Sequence, residues 1–379
     1  MPKVDFSAYP YYPALQCSFP EHHGYRQLSN EDKDALLPIW ELKQRDFEDP
    51  DFNGAIQDIK TSVGNRNFVL DLCKDPAPPP FVPSGKKLSA SEEARIQTQA
   101  ATQQSYNAAL AKLLDPTDGF KAWREFVTPF PTAVPTLQFT DASSQSAAIL
   151  RQGALLARSG SIAVRISPET ADEIFDVIIQ LISILDSAEA LLIIFDCGYG
   201  RTGIADRAAF AKQGISRVLS EIDVLQRANL RAVCLSNSFP NASHDGLKPY
   251  ENLDWTLWQE ASEAFPFTFG DYGAIHRRKS TTMYVPGDWR ATVIYPLNDK
   301  WLIYRDPNSK DQQGWITGSR EVLTAAEKDK TNCWGASMVE NAAKEKIEEC
   351  KSPRFWYAAK VNMHLHRQIA SSPDEPAAE

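Results

Sequence analysis

Carboxylates stand at the ends of four short apolar runs in this chain: Glu41 after residues 37–40, Asp71 after 68–70, Asp196 after 191–195, and Asp271 after 267–270. Two carboxyl groups in unequal surroundings can share general acid and base work, one raised in pKa by burial and the other kept ionised by a cation. Glu41 with Asp71 or Asp196 is the pair expected to do this, with Arg165 or Lys43 as the cation, and Asp271 is the fourth catalytic candidate. Lys43, Arg165, Ser236, Ser238 and Tyr272, in or after apolar runs, are read as ligand-binding candidates, with Arg165 holding an anion. Any one of these residues can instead cap a helix or sit in a structural ion network, so the argument rests on their joint placement.

Other motifs carry weaker chemistry. Histidine is absent from the first seven run ends, so no metal ligand is assigned. Magnesium asks for few protein oxygens, and a carboxylate-only site of Asp71, Asp196 and Glu41 stays open as the alternative cofactor reading. Residues 198–203 spell Gly-Tyr-Gly-Arg-Thr-Gly between an apolar run and a helical stretch. A dinucleotide fold would need an acidic residue closing the next strand, where this chain has Ser236-Asn237, so the motif reads as a turn with exposed amides. His276-Arg277-Arg278-Lys279 offers Arg277 and Arg278 to an anion, with a solvated basic turn as the competing reading. His364 and His366 flank Leu365 and, on a strand, would face the same side; His364 is taken as a ligand-site candidate that titrates near neutral pH.

The elements that position these groups follow from periodicity. Eight apolar runs, at 12–17, 37–42, 68–72, 134–139, 162–166, 191–195, 231–235 and 267–269, alternate with helical stretches such as 55–62, 144–158, 171–185, 207–226 and 254–264. Near-continuous apolar strands suit a parallel sheet covered on both faces. The count of eight predicts an α/β fold, a (β/α)8 TIM-like barrel over residues 1–280, with a long helical insertion at about 76–128 that contains a polar helix at 89–114. In such barrels the C-terminal strand ends carry the chemistry, which is where the candidates fall. Residues 283–285, 291–295 and 301–304 read as antiparallel strands. With a helix at 336–349 they make a small C-terminal α+β appendage over 281–379, with a disordered acidic tail from about 371.

Composition narrows the class. With 379 residues, 43% hydrophobic and 23% charged, the chain has material for a sizeable core. No apolar run approaches the roughly 18 residues a membrane span needs, so no membrane partner is expected. A net charge of −9 argues against a broad nucleic-acid surface. The six cysteines form no Cys-x-x-Cys pair, and the first residues lack a signal pattern; reduced thiols in a cytoplasmic protein are expected.

Several short pieces stand in a set order: Tyr12-Pro13-Ala14-Leu15, Leu37-Pro38-Ile39-Trp40-Glu41, Val69-Leu70-Asp71, Arg165, Asp196, Ser236-Asn237-Ser238-Phe239-Pro240, Phe269-Gly270-Asp271-Tyr272, Trp334-Gly335 and Asn362-Met363-His364-Leu365. Together they resemble the phage "beta protein" family of prophages and bacterial antiviral defence loci. The resemblance implies a phage or prophage setting and, as partners, other defence-system proteins encoded nearby. Family members tend to carry a Lys near the end of the first strand and a Gly-Glu pair after it, where this chain has Gln16-Cys17-Ser18 and a lone Glu21; Met363 replaces one residue of a His-His pair. The matched polar set is then Glu41, Asp71, Arg165, Asp196, Ser238 and Asp271.

Two functions follow. The first is an enzyme, a hydrolase or lyase in a defence system whose charged pocket acts on a phosphate-bearing small molecule or nucleotide. The alternative is a non-catalytic sensor or regulatory partner that binds and restrains another defence protein, for which the long polar insertion is the warrant.

Overall fold

The computed structural model describes residues 2–45, 49–77, 80, 88–241, 244–275, 290–308, 312–326, 331–347 and 352–371. The apolar runs form parallel strands β1 (Tyr11–Gln16), β2 (Ile39–Leu42), β3 (Phe68–Leu72), β4 (Ala133–Pro135), β5 (Ile162–Ile166), β6 (Leu191–Tyr199) and β7 (Arg231–Asn237). A strand of a different sheet, β8 (Gly246–Glu251), precedes the last of the set, β9 (Thr268–Asp271). The order β4-β3-β2-β1-β9-β7-β6-β5 puts β4 and β5 at the two edges. These edges meet through a parallel bridge between Thr136 and Ala163, with Leu137 N donating to Ala163 O at 2.7 Å. The sheet thus curls into the expected (β/α)8 barrel.

Strand side chains alternate between two cores. Tyr12, Ala14, Ile39, Val69, Val134, Ala163, Leu192, Ile194, Val233 and Leu235 fill the barrel interior. The residues between them, such as Leu70, Val164, Ile193 and Phe195, pack beneath the outer helices. Continuing the inward set by one more step of two gives Glu41 after Ile39, Asp71 after Val69, Arg165 after Ala163 and Asp196 after Ile194. The pleat therefore turns four charges toward the C-terminal mouth. Val4 and Phe6 close the opposite end, where Tyr12 Oη donates to Phe6 O at 2.6 Å.

The connecting helices are α1 (Phe19–Arg26) and α2 (Asn30–Asp34) after β1, α3 (Asn53–Val63) after β2, α4 (Ala90–Leu113) and α5 (Thr117–Val127) after β3, and α6 (Ala142–Ala157) after β4. Next come α7 (Glu173–Ile184) after β5, α8 (Ile204–Glu221) and α9 (Val224–Asn229) after β6, and α10 (Asp254–Ser262) before β9. The helix expected at 207–226 is divided because the Asp223 side chain accepts from Leu225 N and Gln226 N and so starts α9 afresh. Helix α4 opens on a Ser89–Glu92 capping box, and only Tyr106, Leu110 and Leu113 are buried along it.

The remaining strands, β10 (Thr292–Pro296) and β11 (Lys300–Arg305), pair antiparallel with β8 in the order β10-β11-β8. The third strand of this sheet thus comes from the loop after β7. The strand expected at 283–285 lies outside the described residues. Helices α11 (Gln312–Ala325), α12 (Trp334–Ala343) and α13 (Pro353–Ser371) follow.

Helix α13 is clamped between α1 and α12 by backbone contact at two glycines. Asn362 Nδ2 donates to Gly24 O at 3.1 Å, and Gly335 N donates to Asn362 Oδ1 at 2.8 Å. A Cβ at Gly24 would stand 2.7 Å from Ala358 O, and one at Gly335 would overlap Ala359 O. Overpacking of this kind costs about 1–3 kcal/mol. Gly335→Ala is accordingly expected to lower stability by that amount in urea denaturation, and an unchanged midpoint would show that the two helices do not touch there.

Candidate active site at the barrel mouth

Register lays the first charges side by side: Gln16 pairs with Glu41, and Glu41 with Asp71. Arg165 reaches them from β5. Its Nη1 lies 2.7 Å from Asp71 Oδ2 and 3.5 Å from Glu41 Oε1. Its Nη2 donates to Asp196 Oδ2 at 2.8 Å and to Tyr272 Oη at 2.7 Å, while Nε lies 3.1 Å from Asp196 Oδ2. Tyr272 Oη donates in turn to Asp196 Oδ2 at 2.6 Å. One guanidinium, its side chain 9% exposed, thus stands among three carboxylates.

Burial pushes the Asp71 carboxyl up, but Arg165, Lys74 and Thr136 Oγ1, which donates at 2.7 Å, together outweigh it and hold the group below the usual carboxylate range. Burial likewise works against the charge on Arg165, yet Tyr272, Asp196, Asp71 and Glu41 raise it well above its ordinary value. Lys43 Nζ donates to Gln16 Oε1, and Gln16 Nε2 donates to Glu41 Oε2 at 2.7 Å, so Lys43 joins the cluster through an amide.

Beside this cluster sits a second unit. Asp271 Oδ1 accepts from Tyr11 Oη at 2.6 Å and from Gly273 N at 2.8 Å, while Oδ2 lies 2.6 Å from His364 Nε2. A carboxylate already taking two donors is an acceptor, which assigns the proton to Nε2 and leaves Nδ1 with its lone pair. His364 is fully buried, and among the described residues its Nδ1 has no hydrogen-bond partner. The strand expected around Leu365 is instead helix α13. Two residues turn about 200° round a helix, so His366 faces away and pairs with Asp32 Oδ2 at 2.9 Å.

The other candidates are placed differently. Ser236 Oγ donates to Asp254 Oδ1 at 2.8 Å and Ser238 Oγ accepts from Leu253 N at 3.0 Å, so both hold the start of α10. Burial, with Asp271 nearby, raises the Asp254 carboxyl to about 6. Arg277 and Arg278 lie outside the described residues. The glycine motif forms a turn whose carbonyls at Cys197, Gly198 and Gly200 are all gathered by the Arg207 guanidinium. Among the described residues no three His, Cys, Asp or Glu side chains are grouped to hold a metal ion. No described helix is long and apolar enough to cross a membrane.

Three residues near these units were not singled out by the sequence as site residues: Tyr11, Lys360 and Glu21, the last noted only as a departure from the family pattern. Glu21 Oε1 accepts from Gln16 N at 2.6 Å, Oε2 accepts from Ser18 Oγ at 2.5 Å, and burial pushes the carboxyl up to about 7. Lys360 is 2% exposed, with its Nζ 4.4 Å from the Phe239 ring centroid and 4.9 Å from that of Tyr357. Burial pulls its amine down to about 7 against the opposing pull of Glu21. The available signal was the four-residue spacing of Lys360 and His364, which matters only once the segment is known to be helical.

A family model described as Beta protein matches residues 11–370. Protein beta of Enterobacteria phage P4 is 27% identical over 379 residues, covering 98% of this chain and 96% of that one. No solved structure matches.

Proposed function

From the premise that the chain belongs to the phage-related Beta protein family, we propose that its barrel mouth is the reaction site of an antiviral defence component. It acts on a phosphate-bearing small molecule or nucleotide by hydrolysis or elimination. The observation that carries this reading is the buried Asp271–His364 pair, in which the carboxylate fixes the imidazole and Nδ1 has no hydrogen-bond partner among the described residues. Arg165 is already held by Asp71, Asp196 and Glu41, so its part is to fix those carboxylates. The phosphate falls to Lys43 and Lys74, which follow β2 and β3; Lys74 Nζ lies 4.1 Å over the Phe139 ring.

The test is a thermal-shift screen of the full chain against nucleoside mono-, di- and triphosphates and sugar phosphates, with mass spectrometry of products. At least one ligand is expected to raise the melting temperature and be converted. The Lys43→Ala, Lys74→Ala double variant is expected to bind it about tenfold more weakly, in line with the loss of a charge-assisted contact. No stabilising ligand and no product would remove the proposal.

The second reading, a non-catalytic partner that restrains another defence protein, draws on α4, whose first half is exposed and polar. It is favoured if the screen is empty and a neighbouring-gene product co-purifies with the wild type but not with a chain lacking that half.

A further inference from the structure

We propose that a cavity at the N-terminal end of the barrel, opposite the mouth, binds the carboxylate or phosphate head of a small organic acid, with Arg231 as the group that grips it. This site is independent of the reaction assigned to the mouth.

The cavity has a volume of about 870 Å³, within the roughly 300–1,000 Å³ of small-molecule sites. Residues at the starts of three strands line it: Ser161 and Ala190 immediately precede β5 and β6, and Arg231 is the first residue of β7. Residues 3–7 form one wall and are tied to the barrel. Ser161 N donates to Pro2 O at 2.8 Å, and Val4 N donates to Ser161 Oγ at 3.0 Å. Both Val4 and Ser161 are buried, so that wall is part of the fold.

Arg231 is held from one side only. Its Nη1 donates to Ala228 O at 3.1 Å and to Leu230 O at 3.0 Å, which fixes the guanidinium plane. Among the described residues its Nε and Nη2 have no hydrogen-bond partner, and that edge is the fork that fits two oxygens on one carbon or one phosphorus. Arg165 and Arg207 differ, since all three of their nitrogens are engaged.

The charges around the fork select the ligand. Arg158 and Lys3 share the lining, and among the described residues neither side chain has a hydrogen bond or an ion pair. Asp5 lies there too, but its Oδ1 accepts from Ser7 N at 3.0 Å and Ser7 Oγ at 2.6 Å, and it pairs with none of the three cations. Asp186 and Glu189 are exposed in the same lining and repel a polyanion, which favours a small acid over a nucleic-acid strand. Ile184, 55% exposed, offers an apolar contact to the body of that acid.

The test is isothermal titration of the full chain with benzoate and with phenyl phosphate, which share an apolar ring and differ in the head, and with benzyl alcohol as the neutral control. It is run on the wild type and on the Lys43→Ala, Lys74→Ala double variant, which removes the mouth's lysines from the measurement. At least one acid is expected to bind both chains with a Kd of about 1 mM or tighter, and benzyl alcohol at least about tenfold more weakly. The tighter acid tells a carboxylate ligand from a phosphate one. Arg231→Met, which keeps the apolar stem, and a Lys3→Ala, Arg158→Ala double variant are each expected to weaken that acid at least about tenfold. Lys3 and Arg158 are exposed and make no side-chain contact that folding needs, so their variant decides the matter if Arg231→Met does not fold. No binding of either acid, benzyl alcohol binding as tightly as the acids, or affinities within about twofold of wild type in every cavity variant that folds would overturn the proposal.

Discussion

Replacing Arg165 by methionine is expected to cost the protein at least about 3–5 kcal/mol at pH 7, the range for removing one partner from a buried ion pair. Here a single removal strands the Glu41, Asp71 and Asp196 carboxylates together, all buried, with Tyr272 as the nearest donor to Asp196. The pH dependence should change sign. In the wild type the depressed Asp71 value means stability that is present above the ordinary carboxylate pKa and lost as pH falls from there through the lower folded value. In Arg165→Met the crowded carboxyls lose the cation that contacts all three, and only Lys74, acting on Asp71, and Lys43, linked to Glu41 through Gln16, stay near, so the folded state binds protons more tightly than the unfolded chain. Its stability should therefore rise as pH falls from 7 to 5. Urea denaturation at both pH values checks this, and a deficit below about 1 kcal/mol at pH 7, within the range of an exposed pair, would mean that water reaches these groups.

Asp271→Asn is expected to lower turnover of the ligand found in the screen by about 10²–10⁴, the usual contribution of a positioned general base. The amide keeps the size of the carboxylate, and its oxygen can still accept from Tyr11 Oη and Gly273 N. Its nitrogen then presents hydrogens to His364 Nε2. Two donors cannot face each other, so the imidazole must move its proton to Nδ1, which leaves the base without a lone pair toward the substrate. Nitrogen NMR of labelled His364 reads the tautomer directly. Turnover within about threefold of wild type, with the tautomer reversed, would show that His364 Nδ1 takes no proton in the rate-limiting step.

The barrel was legible because parallel strands covered on both faces leave near-continuous apolar runs. The charged mouth was legible because Glu41, Asp71, Arg165 and Asp196 continue the inward period by one step. Helix α1 was hidden by Pro20 and Gly24, which read as breakers. In the fold Pro20 sits in the first helical turn, where its missing N–H costs nothing, and Gly24 admits α13. Strand β8 was hidden by Lys248 and Pro249, both exposed, on a strand at the sheet's edge. Helix α13 was the costliest omission. It buries Lys360, Asn362, His364, Arg367 and Gln368 as well as its apolar residues, so no polar face marks its period. Ser236 and Ser238 show the opposite limit: residue type suggested a phosphate loop, and local geometry turned both toward α10.

Helix α13 follows every barrel strand along the chain, which sets an order of events during synthesis. As the polypeptide leaves the ribosome, the eight strands can associate and gather their guanidinium and carboxylates while His364 and Lys360 have yet to be translated. Under the proposed function, a nascent barrel lacks His364 however well it is folded, and the site is complete only when the late helix seats against Gly24.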